Sequence, residues 1–363
     1  MKYIAVLGRQ DAISLAELES LFYNVQNLGG KIASFESEAE IKIERLGGCL
    51  KIAKPLEVSP LEYLQNLPEG KITLGISDYS GKKSGRQVGA EALKMKKILT
   101  RHGRSVRIVP NKEAVLSTAT AFHNGLGLRE KAVELIKFRG EWFASVGVQN
   151  IEAYAKRDQN RPARDAKVGM LPPKLAQILI NLCGNLPENS VLLDPFCGTG
   201  VVLQEAFLMG YQPYGTDIDE RMVRYSKRNL EWLDAESLIT VGDATEYTWQ
   251  QPIDAVACET YLGRPMSNPP AEIKLKEEKQ KCGTIILGFL KNLAKQIKSR
   301  TPVMLGVPAW LRPDGSYSRL DLLDEIEKLG YNVKRFKTAS QSDLLYHREG
   351  QIVAREIIVL RKK

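Results

Sequence analysis

Short hydrophobic runs alternate with amphipathic segments through the second half of the chain. Seven runs have the pattern of buried strands: SVLLDPF, QPYGTDI, LITVGDA, IDAVACE, PVMLGVP, VKRFKTA and EIIVLRK. Most segments between them repeat their apolar positions with the period of a helix, as from Glu220 to Leu233. This alternation predicts a parallel, doubly wound sheet. Because no helical segment separates the last two runs, we expect the sheet to end in an antiparallel strand.

The first half of the chain has a different pattern, which predicts small α+β units. KYIAVLG is typical of a strand and SLAELESLF of a helix, with Ser14 as its N-cap and Glu17 completing a capping box. KIASFESEAEIKIE alternates like one or two strands, and PLEYLQNL resembles a short helix. A second unit combines the strands KITLGISDY and SVRIVP with a basic helix between them. It ends in a hairpin, KAVELIKF and EWFASVGVQ, that turns at Arg139-Gly140.

Between the two halves, residues 150 to 173 are polar, basic and proline-bearing, with little periodicity. Such a composition is typical of a surface linker. We therefore predict four parts. They are a ferredoxin-like α+β unit at 1–56, a binding unit at 57–150, a basic linker with a lead-in helix at 151–184, and the α/β domain at 185–363.

Composition excludes several classes of protein. A chain of 363 residues is too long for one ordinary domain. The longest apolar run of interest, TIILGFL, is far shorter than the roughly 20 residues that span a bilayer, and the N-terminal pattern is unlike a signal peptide. Five scattered cysteines and three histidines give no disulfide framework and no zinc-ligand spacing. We expect a cytoplasmic protein with no metal and no membrane association.

Positive charge is concentrated in the binding unit and in the linker. The formal net charge is +9, and ten Lys and Arg residues stand against the single acid Glu91 between residues 81 and 112. This density fits either a solvated helix face or a surface for a polyanion, and the lack of opposing acids favours nucleic acid. The linker adds six basic residues between positions 156 and 174. The predicted RNA contacts are Lys94, Lys97, Arg101, Arg104, Arg107, Arg157, Arg161 and Arg164.

The stretch LLDPFCGTG, residues 192 to 200, places an acid and a glycine turn directly after a buried strand. In α/β folds this arrangement presents a nucleotide-like cofactor at the carboxyl ends of the strands. Gly198 and Gly200 let the backbone approach the ligand, and Asp194 suits a cationic amine. The spacing is not GxGxxG, so we do not expect a dinucleotide.

The next two strands also end in acids. Asp217 has the spacing of a carboxylate that binds ribose hydroxyls, and Ile218 beside it suits an adenine face. Asp243 is placed to accept from an adenine amino group. A single acid at such a position is often a helix N-cap, which is our interpretation of Asp219. The predicted cofactor residues are Asp194, Phe196, Gly198, Gly200, Asp217, Ile218, Asp243 and Ala244.

The motifs DPFCGTG, GTDID and GDAT, followed by a fourth strand with a terminal acid, resemble the class I S-adenosylmethionine-dependent methyltransferases that modify amino groups. With the upstream units and RPARDAKVGMLPPKLAQILINL included, nearly the whole chain resembles the THUMP-containing tRNA guanine-N2-methyltransferases of the position-10 type. The resemblance implies a Rossmann-like, seven-stranded domain, S-adenosylmethionine as cofactor, and a THUMP unit that engages tRNA. It implies N2-methylguanosine as product, and leaves open the number of methyl groups and a possible small activating protein partner.

The D-P-P-Y-G loop of that family falls on residues 259 to 263, which read ETYLG. The resemblance implies that the acid accepts a proton of the exocyclic amine while an aromatic ring stacks on the flipped base. Glu259, Tyr261 and Thr260 are therefore the predicted catalytic residues, although both family prolines are replaced.

Two alternatives remain open at this point. A DNA amino-methyltransferase shares the catalytic pattern, and a catalytically silent tRNA-binding protein could keep the cofactor pocket with an altered loop. Cys197 and Cys258 could suggest a nucleophile, but no Pro-Cys occurs in the loop, and we expect both to be small buried residues.

Overall fold

A computed structural model of the chain describes residues 1–165 and 171–363. The chain divides into two compact units, Met1–Tyr154 and Ala155–Lys363. This division lies close to the boundary predicted at residue 150, while residues 166–170 of the predicted linker lie outside the described part. Within the described part, no helix has the length and apolarity needed to cross a membrane.

The first unit is built around one eight-stranded sheet. Its strands are β1 (Lys2–Leu7), β2 (Tyr23–Gly29), β3 (Ile32–Glu36), β4 (Cys49–Pro55), β5 (Ile72–Asp78), β6 (Val106–Ile108), β7 (Ala132–Phe138) and β8 (Glu141–Val148). Its helices are α1 (Asp11–Leu21), α2 (Pro60–Gln65), α3 (Gly85–Arg101) and α4 (Thr118–His123), and the division falls within α5 (Ile151–Gln159).

The strand order is β2-β3-β1-β4-β8-β7-β5-β6, so one sheet runs through residues on both sides of position 56. β4 joins the two parts by antiparallel pairing with β8, for example Lys51 opposite Val148. The separation of a 1–56 unit from a 57–150 unit stays a prediction. The hairpin turn at Arg139-Gly140 is confirmed, since φ angles of 50° and 90° suit the primed turns that join twisted strands.

The predicted N-cap at Ser14 is wrong. Helix α1 begins at Asp11, and Ser14 is buried inside it with its hydroxyl donating to the Gln10 carbonyl at 3.1 Å. Glu17 accepts hydrogen bonds from the backbone N–H groups of Gly47 and Gly48 at 2.9 and 2.8 Å. Glu17 therefore binds a glycine turn that packs against Ser14, and neither residue caps the helix.

The second unit contains a nine-stranded sheet. Its strands are β9 (Val191–Asp194), β10 (Gln212–Asp217), β11 (Leu238–Val241), β12 (Ala255–Glu259), β13 (Pro302–Leu311), β14 (Tyr317–Ser318), β15 (Tyr331–Val333), β16 (Leu345–Tyr346) and β17 (Val353–Lys362). Its helices are α6 (Pro173–Leu182), α7 (Val201–Leu208), α8 (Glu220–Glu231), α9 (Glu272–Leu293) and α10 (Leu323–Lys328).

Seven of these strands follow the order β11-β10-β9-β12-β13-β17-β15, which confirms the predicted α/β class and the number of strands. The strand predicted at VKRFKTA is misplaced, because β15 ends at Val333. β14 and β16 are short additions that pair with β13 and β17. β9 to β13 run parallel, and β17 is antiparallel to both of its neighbours. The antiparallel strand therefore lies one place in from the edge. β12 and β13 are buried almost throughout, because helices cover both faces of a parallel sheet.

The predicted linker is more ordered than its composition suggested. Residues 151 to 159 form helix α5, in which Tyr154 is buried. Farther on, the side chain of Asn229 binds both the N–H and the carbonyl of Ala163, at 2.8 and 2.9 Å, and also the carbonyl of Thr199 at 2.8 Å. The segment around Ala163 is thereby fixed beside the glycine turn that follows β9.

Candidate active site

A cavity of about 820 Å³ lies at the carboxyl ends of β9, β10, β11 and β12. Its volume is within the range of small-molecule and cofactor sites. All but one of the predicted cofactor residues and all three predicted catalytic residues line it; the exception is Gly200. These lining residues are Asp194, Phe196, Gly198, Asp217, Ile218, Asp243, Ala244, Glu259, Thr260 and Tyr261.

The turn after β9 requires its glycines for two different reasons. Gly198 has a φ of 51°, and its N–H donates to Oδ2 of Asp217 at 2.8 Å. Gly200 has a φ of 80°, and a Cβ atom there would lie 2.3 Å from the hydroxyl oxygen of Ser226 on α8. Gly198 thus shapes the cavity wall, whereas Gly200 lets α7 start in close contact with α8.

Asp217 ends β10 with both carboxylate oxygens directed at backbone donors. Oδ2 accepts from Gly198, and Oδ1 accepts from the N–H of Asp219 at 2.9 Å. Burial raises the pKa of Asp217, and these two hydrogen bonds oppose that rise. Each oxygen retains a second lone pair, so the carboxylate can still bind a pair of hydroxyl groups. The predicted cap is confirmed, because Asp219 accepts from the N–H of Arg221 at 2.8 Å.

Asp194, at the end of β9, is only 2% exposed. It accepts a hydrogen bond from the N–H of Phe196 at 3.1 Å. Burial raises the pKa of Asp194 well above its ordinary value, and the nearby carboxylates of Asp217 and Glu259 raise it further. A cation bound in the cavity would favour the ionised form, so this cluster suits a positively charged ligand.

The third acid leaves one oxygen for a ligand. Oδ1 of Asp243 accepts from the backbone N–H and the hydroxyl of Thr245, at 2.9 and 2.7 Å. Its Oδ2 accepts no hydrogen bond from the described residues. Ile218 is 71% exposed at the cavity, which leaves its side chain available to a flat ring. The glycine turn, the three acids and this side chain together fit S-adenosylmethionine.

Glu259, at the end of β12, forms an ion pair that the sequence reasoning missed. Its Oε1 accepts from Nε of Arg355 at 2.6 Å. Arg355 lies on β17 and is 3% exposed. The two residues are 96 positions apart, so no local pattern links them. Burial raises the pKa of Glu259, and the Arg355 guanidinium opposes that rise.

The next two loop residues have different surroundings. Thr260 is buried, and both its N–H and its hydroxyl donate to the Gly306 carbonyl on β13, at 3.0 and 3.3 Å. The Tyr261 ring is half-buried at the cavity, with Nζ of Lys281 lying 5.0 Å from the ring centroid and 3.4 Å from the phenolic oxygen. Tyr261 is thus placed to contact a flat substrate, whereas the Thr260 hydroxyl is engaged with the sheet. The catalytic roles of these residues stay predictions.

The predicted RNA-binding residues divide into two groups. Lys94, Lys97, Arg101, Arg107 and Arg164 are exposed. The other three are less exposed, and two of them bond within their own unit. Arg104 donates to the carbonyls of Leu67 and Pro68, both at 2.8 Å.

Arg157 and Arg161 belong to this second group. Arg157 pairs with Glu205 at 2.6 Å. Arg161 is 3% exposed and lies inside its unit, contrary to the expectation of a surface contact. The exposed side chains on α3 remain the strongest candidates for nucleic-acid contact.

Cys197 and Cys258 are buried, as predicted, and burial raises the pKa of both thiols well above the ordinary value. A raised pKa disfavours the thiolate that a nucleophile requires. Within the described residues, no group of three or more His, Cys, Asp or Glu side chains is placed to hold a metal ion.

Fold and site together define the second unit as a class I S-adenosylmethionine-dependent methyltransferase domain. Residues 161–300 match the family described as UPF0020: RMKL-like, methyltransferase domain. In the solved structures, TrmN from Thermus thermophilus covers the full length of both chains with a TM-score of 0.51 at 17% identity, a likeness of fold.

Two relatives share one name with each other. A tRNA (guanine(10)-N2)-dimethyltransferase of Methanothermobacter thermautotrophicus is 30% identical over 144 residues, covering 39% of this chain and 40% of the relative. One from Pyrococcus abyssi is 40% identical over 103 residues, covering 27% of this chain and 30% of the relative. The chain thus aligns with less than half the length of these relatives.

Proposed function

We propose that this protein transfers a methyl group from S-adenosylmethionine to the exocyclic N2 amine of a guanosine in tRNA. The observation that carries the proposal is the position of Glu259. It ends β12 in the same cavity as Asp194, Asp217 and Asp243, where an acceptor amine would face the bound cofactor. The names of the aligned relatives support tRNA as the substrate and the guanosine at position 10 as the target.

When bound, S-adenosylmethionine supplies an electrophilic methyl group on a sulfonium centre. The chain's own residues hold the acceptor and manage its charge. Glu259 accepts an N2–H hydrogen bond, which stabilises positive charge that develops on nitrogen and provides a route for the proton that leaves. Tyr261 stacks on the base and fixes its plane, so that the amine is held in line in a pocket sheltered from water.

The first unit would bring the tRNA to this cavity, as a THUMP-like module. Lys94, Lys97 and Arg101 lie three and four residues apart on α3, so they share one face of the helix, and all three are exposed. Glu91, the one acid of that region, is paired with Lys83 and lies 3.4 Å from Lys137. The three cations are therefore available to phosphates.

The proposal is tested by incubating the protein with labelled S-adenosylmethionine and either an unmodified tRNA transcript or duplex DNA. We expect label in tRNA and a large loss of rate with Glu259→Ala. The matched control is Glu272→Ala, at the exposed start of α9, which should retain the rate. Preferential labelling of DNA would support a DNA amino-methyltransferase instead, and tight tRNA binding without any label would support a silent binding protein.

A further inference from the structure

The Glu259–Arg355 ion pair affects which bases the cavity can accept. We propose that Arg355 is a specificity-determining residue, which holds Glu259 as an ionised carboxylate and thereby selects guanine over bases whose ring nitrogen beside the amine carries no hydrogen. This inference rests on the proposed function and deepens it, because it assigns the choice of base to a contact between β12 and β17.

The geometry of the sheet makes this contact possible. Glu259 pairs in register with Gly306 on β13, and β13 pairs on its other side with β17, where Pro308 lies opposite Arg355. A Cβ atom at Gly306 would lie 3.8 Å from Cα of Glu259 and 3.9 Å from Cβ of Arg355. The ion pair therefore crosses β13 at a position that has no side chain.

Several charged groups surround Glu259, and Arg355 is the cation that contacts it. The side chains of Glu259 and Arg355 are 16% and 4% exposed, so both are largely removed from water. From β9, Asp194 is a nearby carboxylate that opposes a second negative charge, and Cys258 precedes Glu259 within β12. Lys281 of α9 and Arg264 of the loop also line the cavity. Burial and Asp194 disfavour the carboxylate, and the 2.6 Å contact with Arg355 favours it.

An ionised carboxylate offers only acceptors, with about four lone-pair sites on its two oxygens. Arg355 occupies one site on Oε1, and Oε2 accepts no hydrogen bond from the described residues. Guanine presents the N1–H and N2–H donors side by side, which two acceptor oxygens match. A base with an amine beside an unprotonated ring nitrogen presents one donor and one acceptor. Its ring nitrogen and the carboxylate oxygen that faces it would both be acceptors, so their lone pairs would repel each other.

The test compares tRNA transcripts that carry either guanosine or 2-aminopurine at the methylated position. 2-Aminopurine keeps the N2 amine and lacks both the N1 hydrogen and the O6 oxygen, so the change in preference between variants reports the N1–H contact. The measured quantity is the ratio of kcat/KM for guanosine to kcat/KM for 2-aminopurine. We expect a ratio of about 100 or more for the wild-type protein, because a site built for a hydrogen bond rejects an analogue that lacks the donor. We expect Arg355→Met and Glu259→Gln each to reduce that ratio at least about tenfold, and Arg355→Lys to retain most of it.

The control is Arg319→Met, which removes a similar partly buried pair, Arg319 with Glu356 at 2.8 Å, and should leave the ratio unchanged. Glu259→Gln preserves side-chain size, so the test stands even where Arg355→Met does not fold. If the wild-type protein methylates guanosine but Glu259→Gln or a folded Arg355→Met keeps its ratio, the inference about Arg355 is wrong. If the wild-type protein methylates neither transcript, the proposed function itself fails.

Discussion

The backbone N–H of Gly198 donates to Oδ2 of Asp217 at 2.8 Å, which ties the turn after β9 to the end of β10. The same carboxylate holds the N–H of Asp219 at the start of α8. One side chain therefore fixes two neighbouring walls of the cofactor cavity. The residue that we expect to bind the ribose hydroxyls also keeps the cavity in shape.

Replacing Asp217 with alanine should weaken S-adenosylmethionine binding. The variant loses the contact to the cofactor and releases the glycine turn, and we expect a cost of about 1–3 kcal/mol, or roughly 5- to 150-fold in Kd. Isothermal titration calorimetry measures this directly. Glu220→Ala is the control, since its exposed pair with Arg224 lies outside the cavity. An Asp217→Ala variant with wild-type Kd would remove this residue from the cofactor site.

Gly200→Ala should destabilise the second unit far more than Gly210→Ala. Both glycines have left-handed φ angles, 80° and 83°, so both substitutions introduce about 1–2 kcal/mol of backbone strain. At Gly200 the new Cβ would also lie 2.3 Å from Ser226 Oγ, whereas nothing lies within 4 Å at Gly210. Urea unfolding followed by tryptophan fluorescence measures the difference, because Trp232, Trp249 and Trp310 lie in the second unit. Equal losses of unfolding free energy would show that α7 does not need this close contact.

The ligand-free second unit should lose stability as the pH rises from about 4, the ordinary carboxyl pKa. Burial raises the pKa of Asp194 in the folded state, so folding favours its protonated form. This contribution is fully present below the unfolded pKa and is lost as the pH rises through the folded pKa. Asp217 acts in the same direction.

In Asp194→Asn, the free energy of unfolding should therefore fall less steeply with pH than in the wild-type protein. The two slopes should differ by at most about 1.4 kcal/mol per pH unit. Asp234→Asn, at an exposed position with a φ of 55° that Asn tolerates, is the control. Urea unfolding at several pH values provides the measurement. A slope that is the same in Asp194→Asn and in the wild-type protein would contradict the assignment.

Much of the site could be predicted from the sequence because its parts are local. The acids Asp194, Asp217 and Asp243 each follow a hydrophobic run, and parallel strands bring their carboxyl ends to one edge of the sheet. Arg355 could not be found in this way, because only the order β12-β13-β17 brings it to Glu259. The capping prediction at Ser14 is wrong for a similar reason, since Ser14 packs against a turn at Gly48, more than thirty residues away.

Replacing Lys94, Lys97 and Arg101 together with alanine should weaken tRNA binding and its dependence on salt. Each phosphate contact contributes nearly one unit to the slope of log K against log salt, so we expect the slope to fall by about 2 to 3. Lys291, Lys295 and Lys298 on and after α9 are also exposed, and their triple replacement removes the same charge. Filter binding over a salt series measures both variants. An equal effect of the two triples would indicate a response to net charge alone.

The central claim is tested most directly by mass spectrometry of nucleosides from a tRNA transcript incubated with this protein and S-adenosylmethionine. We predict N2-methylguanosine or N2,N2-dimethylguanosine, absent when the guanosine at position 10 is replaced and strongly reduced with Glu259→Ala. A methylated nucleoside other than these, or no methylated nucleoside from protein that binds both tRNA and S-adenosylmethionine, would contradict the account.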